Sequence, residues 1–140
     1  MLVPSATDPA ISPDGRKIAF ARAGADGVLK IAIAPLDDIG GATLLTGNEG
    51  GSSDQRHPAW SADGRSIAYE TGQDLWTVTA DGGQAEKLTS GHQADRNPIW
   101  SSDGRFIYFD SRRGGSRAIW RVPSSGGKAI RLTTGSGPEA

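Results

Sequence analysis

Four short markers recur three times along this chain, always in the same order. A proline comes first, at Pro9, Pro58 and Pro98. A Ser-x-Asp-Gly segment follows: Ser12-Pro13-Asp14-Gly15, Ser61-Ala62-Asp63-Gly64 and Ser101-Ser102-Asp103-Gly104. Next come the glycine pairs Gly40-Gly41, Gly82-Gly83 and Gly126-Gly127, and last Leu45-Thr46, Leu88-Thr89 and Leu132-Thr133. The aspartates are 49 and 40 residues apart, the leucines 43 and 44. A fixed period of this size marks units that bury their apolar faces only by stacking on their neighbours. The chain is three copies of one unit, and any fold assigned to it must repeat three times.

The third unit shows what one copy contains. Asn97 to Ser101 is a short extended run whose proline stands near its start, where a missing N–H is tolerated. Ser102-Asp103-Gly104 is a tight turn, with the aspartate bonding nearby backbone and the glycine free to take positive φ. Arg105 to Asp110 is rich in aromatic and β-branched residues and predicts a strand. Ser111 to Arg117 is a loop, Ala118 to Val122 a third strand, Pro123 to Gly127 a turn, and Lys128 to Thr133 a fourth strand. Each unit is a four-stranded antiparallel meander. Its second strand (Ile18-Ala19-Phe20, Ile67-Ala68-Tyr69 or Ile107-Tyr108-Phe109) is apolar on both faces, as suits a sheet covered on both sides.

Four-stranded units stacked face to face are the blades of a β-propeller. A two-sheet sandwich matches the strand number but not the threefold return of the same turn chemistry. The expected fold is all-β, one partial propeller domain over residues 1–140, with blades at about 8–47, 57–90 and 97–134. Composition agrees: 20 glycines and 8 prolines interrupt every window of helical length and exclude a helix bundle.

The same residues exclude most chemistry. Fifteen Lys and Arg against sixteen Asp and Glu leave no basic footprint, so no nucleic-acid partner is expected. No apolar run reaches the length of a membrane span, and the N-terminal segment shows no secretory signal. The chain has no cysteine, hence no disulfide or thiol nucleophile. Its two histidines, His57 and His92, are too few for a zinc site. No Gly-x-Ser-x-Gly elbow is present. The glycine pairs join strand to strand and open no helix that would hold a phosphate. A residue that returns in every unit is structural, because a catalytic site occurs once. Asp14, Gly15, Asp63, Gly64, Asp103 and Gly104 are therefore read as turn formers. Trp60 with Trp100, and Trp76 with Trp120, are read as packing between blades. No enzymatic activity, cofactor or metal is expected of this chain.

Binding is then expected at one end of the blades. The loops joining a fourth strand to the next first strand, and a second strand to a third, share one face. Arg56, His57, His92, Arg96, Asn97, Arg112, Arg113 and Arg117 fall there. Arginine and histidine recognise carboxylates and acidic peptide segments, and loops on a rigid scaffold are where recognition concentrates.

Pro58-Ala59-Trp60-Ser61-Ala62-Asp63-Gly64-Arg65-Ser66-Ile67-Ala68-Tyr69 and Pro98-Ile99-Trp100-Ser101-Ser102-Asp103-Gly104-Arg105 resemble the WD-like Pro-Asp repeat of TolB-type β-propellers, over about residues 8–134. The first unit departs from it, with Ile11 where the others have tryptophan. The resemblance implies a non-catalytic scaffold for protein or ligand interaction, periplasmic in the TolB-like relatives, with the cytoplasm an equal fit. Its alternative is part of the substrate-gating propeller of a prolyl-oligopeptidase-type serine peptidase, whose hydrolase domain is absent from this chain. Propellers close with roughly four to eight blades. Three blades imply either a piece of a longer protein, which the chain end favours, or a homodimer completing the six-bladed ring of the family. In the second case Ile18 and Ile107 are expected on the open faces.

Overall fold

A computed structural model describes residues 5–47, 53–91 and 93–133. They form twelve strands: β1 (Ala6–Ile11), β2 (Lys17–Ala23), β3 (Leu29–Pro35), β4 (Thr43–Leu44), β5 (Gln55–Trp60), β6 (Ser66–Thr71), β7 (Asp74–Thr79), β8 (Glu86–Lys87), β9 (Arg96–Trp100), β10 (Phe106–Ser111), β11 (Ala118–Pro123) and β12 (Ile130–Arg131). The one helical element among the described residues is a 3-10 turn at Ile39–Gly41, and no helix there is long and apolar enough to cross a membrane. The strands make three four-stranded antiparallel sheets, each ordered as an unbroken meander. The sheets open at Ala6, Gln55 and Arg96, one or two residues ahead of the blade starts estimated from the sequence. Their fourth strands are only two residues long, shorter than the alternating run Lys128–Thr133 suggests.

The repeated turn is built the same way three times. The Ser12, Ser61 and Ser101 hydroxyls donate to Asp14, Asp63 and Asp103 Oδ1 at 2.6, 2.6 and 2.7 Å. Each hydroxyl oxygen accepts the backbone N–H five residues on, at 3.0 Å. The same carboxylate oxygen accepts the backbone N–H of Arg16, Arg65 or Arg105. The serine hydroxyl first, and this N–H second, hold the three carboxyls below their ordinary value of 3.8. Gly15, Gly64 and Gly104 follow at φ 75°, 73° and 75°, which a Cβ would oppose. The Leu-Thr marker also has one job. The Thr46, Thr89 and Thr133 hydroxyls accept the backbone N–H of Ile31, Leu75 and Ile119 on the third strands.

The sheets stack in chain order, with the first strands nearest one another, β1 beside β5 and β5 beside β9. Between blades 1 and 2, Ala19 and Ile31 bury against Ile67, Tyr69 and Val78, with Trp60 and Trp76 at the margin. Between blades 2 and 3, Ala68 and Leu75 bury against Ile107, Phe109 and Val122, with Trp100 and Trp120 at the margin. The paired tryptophans therefore pack between blades. Two of the indoles also bond across: Trp60 Nε1 donates to the Ala10 carbonyl and Trp100 Nε1 to the Ala59 carbonyl, both at 2.9 Å.

The described residues close no ring. The side of blade 1 turned away from blade 2 buries Phe20, Ala32 and Ala34, with Ile18 and Ala42 packed against them. Ile107 is not on the outward face of blade 3. It is fully buried against blade 2, because successive side chains alternate across a strand and Tyr108 takes the outward direction.

Candidate binding site along the inner strands

Each first strand carries a bulge just before its proline, between Thr7 and Ala10, Arg56 and Ala59, and at Arg96. At these bulges Asp8, His57 and Asn97 take φ of 59°, 55° and 58°. The sequence signal was present: Asp, Asn and His are the non-glycine residues most often found at positive φ. The bulge turns the N–H groups of His57 and Asn97 toward the preceding blade, while their side chains bond within their own blade.

A line of bonds runs across all three blades there. The His57 N–H donates to Asp8 Oδ2 at 3.1 Å. His57 Nδ1 lies 2.8 Å from Glu70 Oε1. The other oxygen of Glu70 accepts the Asn97 N–H at 2.8 Å. Asn97 Nδ2 donates to Asp110 Oδ2 at 2.7 Å, and Arg117 pairs with Asp110 Oδ1. Arg56 stands between Asp8 and Asp54 at 3.8 and 3.7 Å. A shallow pocket of about 400 Å³ opens here between Ser53, Arg56, His57, Glu70 and Arg96.

The family follows from a comparison of the repeat itself. Residues 8–139 match the TolB beta propeller domain, almost the whole chain. The chain belongs to the TolB β-propeller family. An uncharacterized protein of Agrobacterium fabrum is 36% identical to it over 131 residues, covering 90% of this chain and 43% of that protein. Among solved structures, a putative TolB from Agrobacterium tumefaciens is 32% identical with a TM-score of 0.78, covering 94% of this chain and 50% of that one. TolB from Acinetobacter baumannii is 25% identical with a TM-score of 0.78, covering 94% and 33%. The chain thus spans half or less of the length of these TolB relatives. A puromycin-hydrolyzing peptidase of Mycobacterium tuberculosis is 20% identical with a TM-score of 0.71, covering 92% and 23%, a likeness of fold alone.

Within this TolB-like frame the expected binding residues divide. Arg56, His57, Arg96 and Asn97 lie on β5 and β9 rather than in loops, because the bulges extend the first strands. Arg112, Arg113 and Arg117 lie between β10 and β11, as expected. His92 lies outside the described residues. Arg113 is committed to the fold. Its guanidinium grips the buried Asp95 at 2.6 Å and lies over the Phe109 and Trp120 rings at 5.6 and 5.7 Å. Arg117 is held by Asp110. Arg96 and Arg112 are exposed, with no side-chain partner among the described residues.

The carboxylates Asp8, Asp54, Glu70, Asp95 and Asp110 at this end all accept hydrogen bonds. Sequence reading passed over Glu70, since nothing local marks it as the group that joins blade 2 to blade 3. His57 is bonded to a carboxylate and to no serine or threonine hydroxyl among the described residues. No group of three His, Asp or Glu among them is placed to hold a metal ion.

Proposed function

We propose that this chain is the non-catalytic, partner-binding part of a TolB-like propeller, and that it recognises carboxylates of a protein or peptide segment at the bulged end of its inner strands. One observation carries the reading: Arg96 and Arg112 are exposed, with no side-chain partner among the described residues, at an end of the blades whose carboxylates are already hydrogen-bonded within the fold. A guanidinium with a free fork is the side chain best suited to a carboxylate. The bonded line beneath keeps the site rigid, so little ordering is needed on binding.

The probe is an acetylated peptide of alternating Glu and Gly, titrated into the ¹⁵N-labelled chain. Shift changes are expected at Arg56, His57, Arg96 and Arg112, and the Arg96→Ala and Arg112→Ala double variant should weaken binding about tenfold. Changes centred on the Ser-x-Asp-Gly turns, or equal binding by the variant, would overturn the reading.

A further inference from the structure

Five Asp-Gly pairs occur in the chain: Asp14-Gly15, Asp26-Gly27, Asp63-Gly64, Asp81-Gly82 and Asp103-Gly104. Their backbones are closely matched. The glycines have positive φ, at 75°, 81°, 73°, 90° and 75° in that order. Each glycine N–H donates to the carbonyl three residues back, at 2.9, 3.0, 2.9, 3.1 and 3.0 Å. All five aspartates are exposed.

The carboxylates are not matched. Asp14, Asp63 and Asp103 each accept two bonds, from a serine hydroxyl and from the N–H two residues on. Asp26 accepts one, from the Val28 N–H at 3.0 Å. Asp81 has no bonding partner among the described residues. It precedes the glycine pair of blade 2, in the turn between β7 and β8, where the other blades have Ile39 and Ser125. Unlike the turn-forming aspartates, it occurs once.

An aspartate before glycine carries its own electrophile beside a nucleophile. The glycine nitrogen attacks the aspartate Cγ in its neutral acid form, and the N–Cγ bond closes a succinimide ring. The hydroxyl of the acid leaves with the amide proton as water. Water then adds at the aspartate main-chain carbonyl carbon and opens the ring, so that the chain runs on through the side-chain carboxyl carbon as isoaspartate. Addition at Cγ instead restores aspartate. One water leaves, one returns, and no other reactant is needed. Glycine favours the step because no side chain shields its nitrogen, and ring closure depends on the two atoms being free to meet. In the three repeated turns two bonds must break before the carboxylate can turn onto that nitrogen. The same bonds hold these carboxyls below their ordinary value of 3.8, where the neutral acid is scarce. At Asp81 no such bond stands in the way.

We propose that Asp81-Gly82 is the site at which this chain forms isoaspartate spontaneously, and so the site that a protein-isoaspartate methyltransferase would modify. The serines of the Ser-x-Asp-Gly turns then have a second task, protecting three copies of the same dipeptide from the same reaction. The lesion adds a main-chain carbon to the turn that carries β8, a strand paired over two residues only. The inference stands apart from the binding reading above, because the β7–β8 turn lies at the end of the blades opposite the bulges.

The test keeps the folded wild-type chain at neutral pH and body temperature for several weeks and then digests it with trypsin. Each Asp-Gly pair falls on its own peptide, residues 1–16, 23–30, 57–65, 66–87 and 97–105. Isoaspartate in each is read by electron-transfer mass spectrometry, with enzymatic methyl transfer from S-adenosylmethionine to the intact chain as an independent readout. The 66–87 peptide should gain isoaspartate on the order of tenfold faster than 1–16, 57–65 or 97–105, with 23–30 between them. Asp81→Glu, which cannot close the same ring, should remove most of the methyl acceptance. Ser61→Ala, with circular dichroism to check the fold, should bring the 57–65 peptide toward the rate of 66–87. In guanidinium chloride the five peptides should converge, because the folded turns set them apart. Equal rates in the folded chain, a Ser-x-Asp-Gly peptide that leads, the folded ranking unchanged in denaturant, or a folded Ser61→Ala chain whose 57–65 peptide stays slow would each overturn the proposal.

Discussion

The two ends of each blade are made on opposite plans. At the Ser-x-Asp-Gly end the three units repeat the same bonds to within 0.1 Å: 2.6, 2.6 and 2.7 Å from serine to aspartate. At the bulged end the places that correspond hold different residues. Asp8, His57 and Asn97 occupy one, Ala21, Glu70 and Asp110 another, and Thr7, Arg56 and Arg96 a third. The backbone is nonetheless the same there, with φ near +57° in every unit. Identical geometry with unlike side chains separates the two tasks. The turns define a blade, and the bulges let each blade offer a different group to whatever lies across the inner strands.

That contrast can be broken or sharpened by substitution. The largest effect is expected from what both ends rest on: Phe109→Ala, fully within the interface of blades 2 and 3, should cost about 3–5 kcal/mol in urea unfolding. Trp100→Phe keeps the ring but removes the indole donor to the Ala59 carbonyl, and should cost about 1–2 kcal/mol by the same measurement. At the uniform end, Ser61→Ala should lower the unfolding midpoint by less and let the Asp63 carboxyl rise toward its ordinary range, as a carbon-detected NMR titration would record. These folded-state carboxyls are depressed. Their stabilising contribution is complete above the ordinary value of 3.8 and is lost as the pH falls through the folded-state values. Stability should thus be level from neutral pH to about 4.5 on account of these turns and fall below it, with Ser61→Ala showing the shallower fall. At the varied end, Arg96→Ala with Arg112→Ala should change stability by no more than about 0.5 kcal/mol while weakening the acidic peptide. A large loss of stability there would mean that these arginines also hold the fold.

The fold was legible because its determinants are local and repeated. Pro, Asp and Gly at fixed offsets announce the turns, and the doubly apolar strands announce sheets covered on both sides. The direction of Ile107 was not read because an all-apolar strand does not say which residue points inward. Tyr108 faces out only by the pleat. Of the proposed binding residues, Arg112 lies in the loop the sequence gives it, whereas Arg96 lies on β9 instead of in a loop. Arg113 has the same local context as Arg112. Only the folded loop brings it onto Asp95 and the two aromatic rings. The bulges escaped notice because a residue before proline usually reads as extended, whereas here the neighbouring blade holds His57 and Asn97 by their N–H groups.

The threonine of the Leu-Thr marker has a consequence for how the molecule meets other chains. Each outermost strand pairs over two residues and then gives way to a hydroxyl that takes the next N–H of the third strand. A strand edge templates aggregation when it exposes a long row of open N–H and C=O groups. Here the ladder is interrupted by a side chain almost as soon as it begins. Among the described residues the fourth strands offer an incoming peptide no long run of backbone to copy, so non-specific cross-β growth has little foothold there.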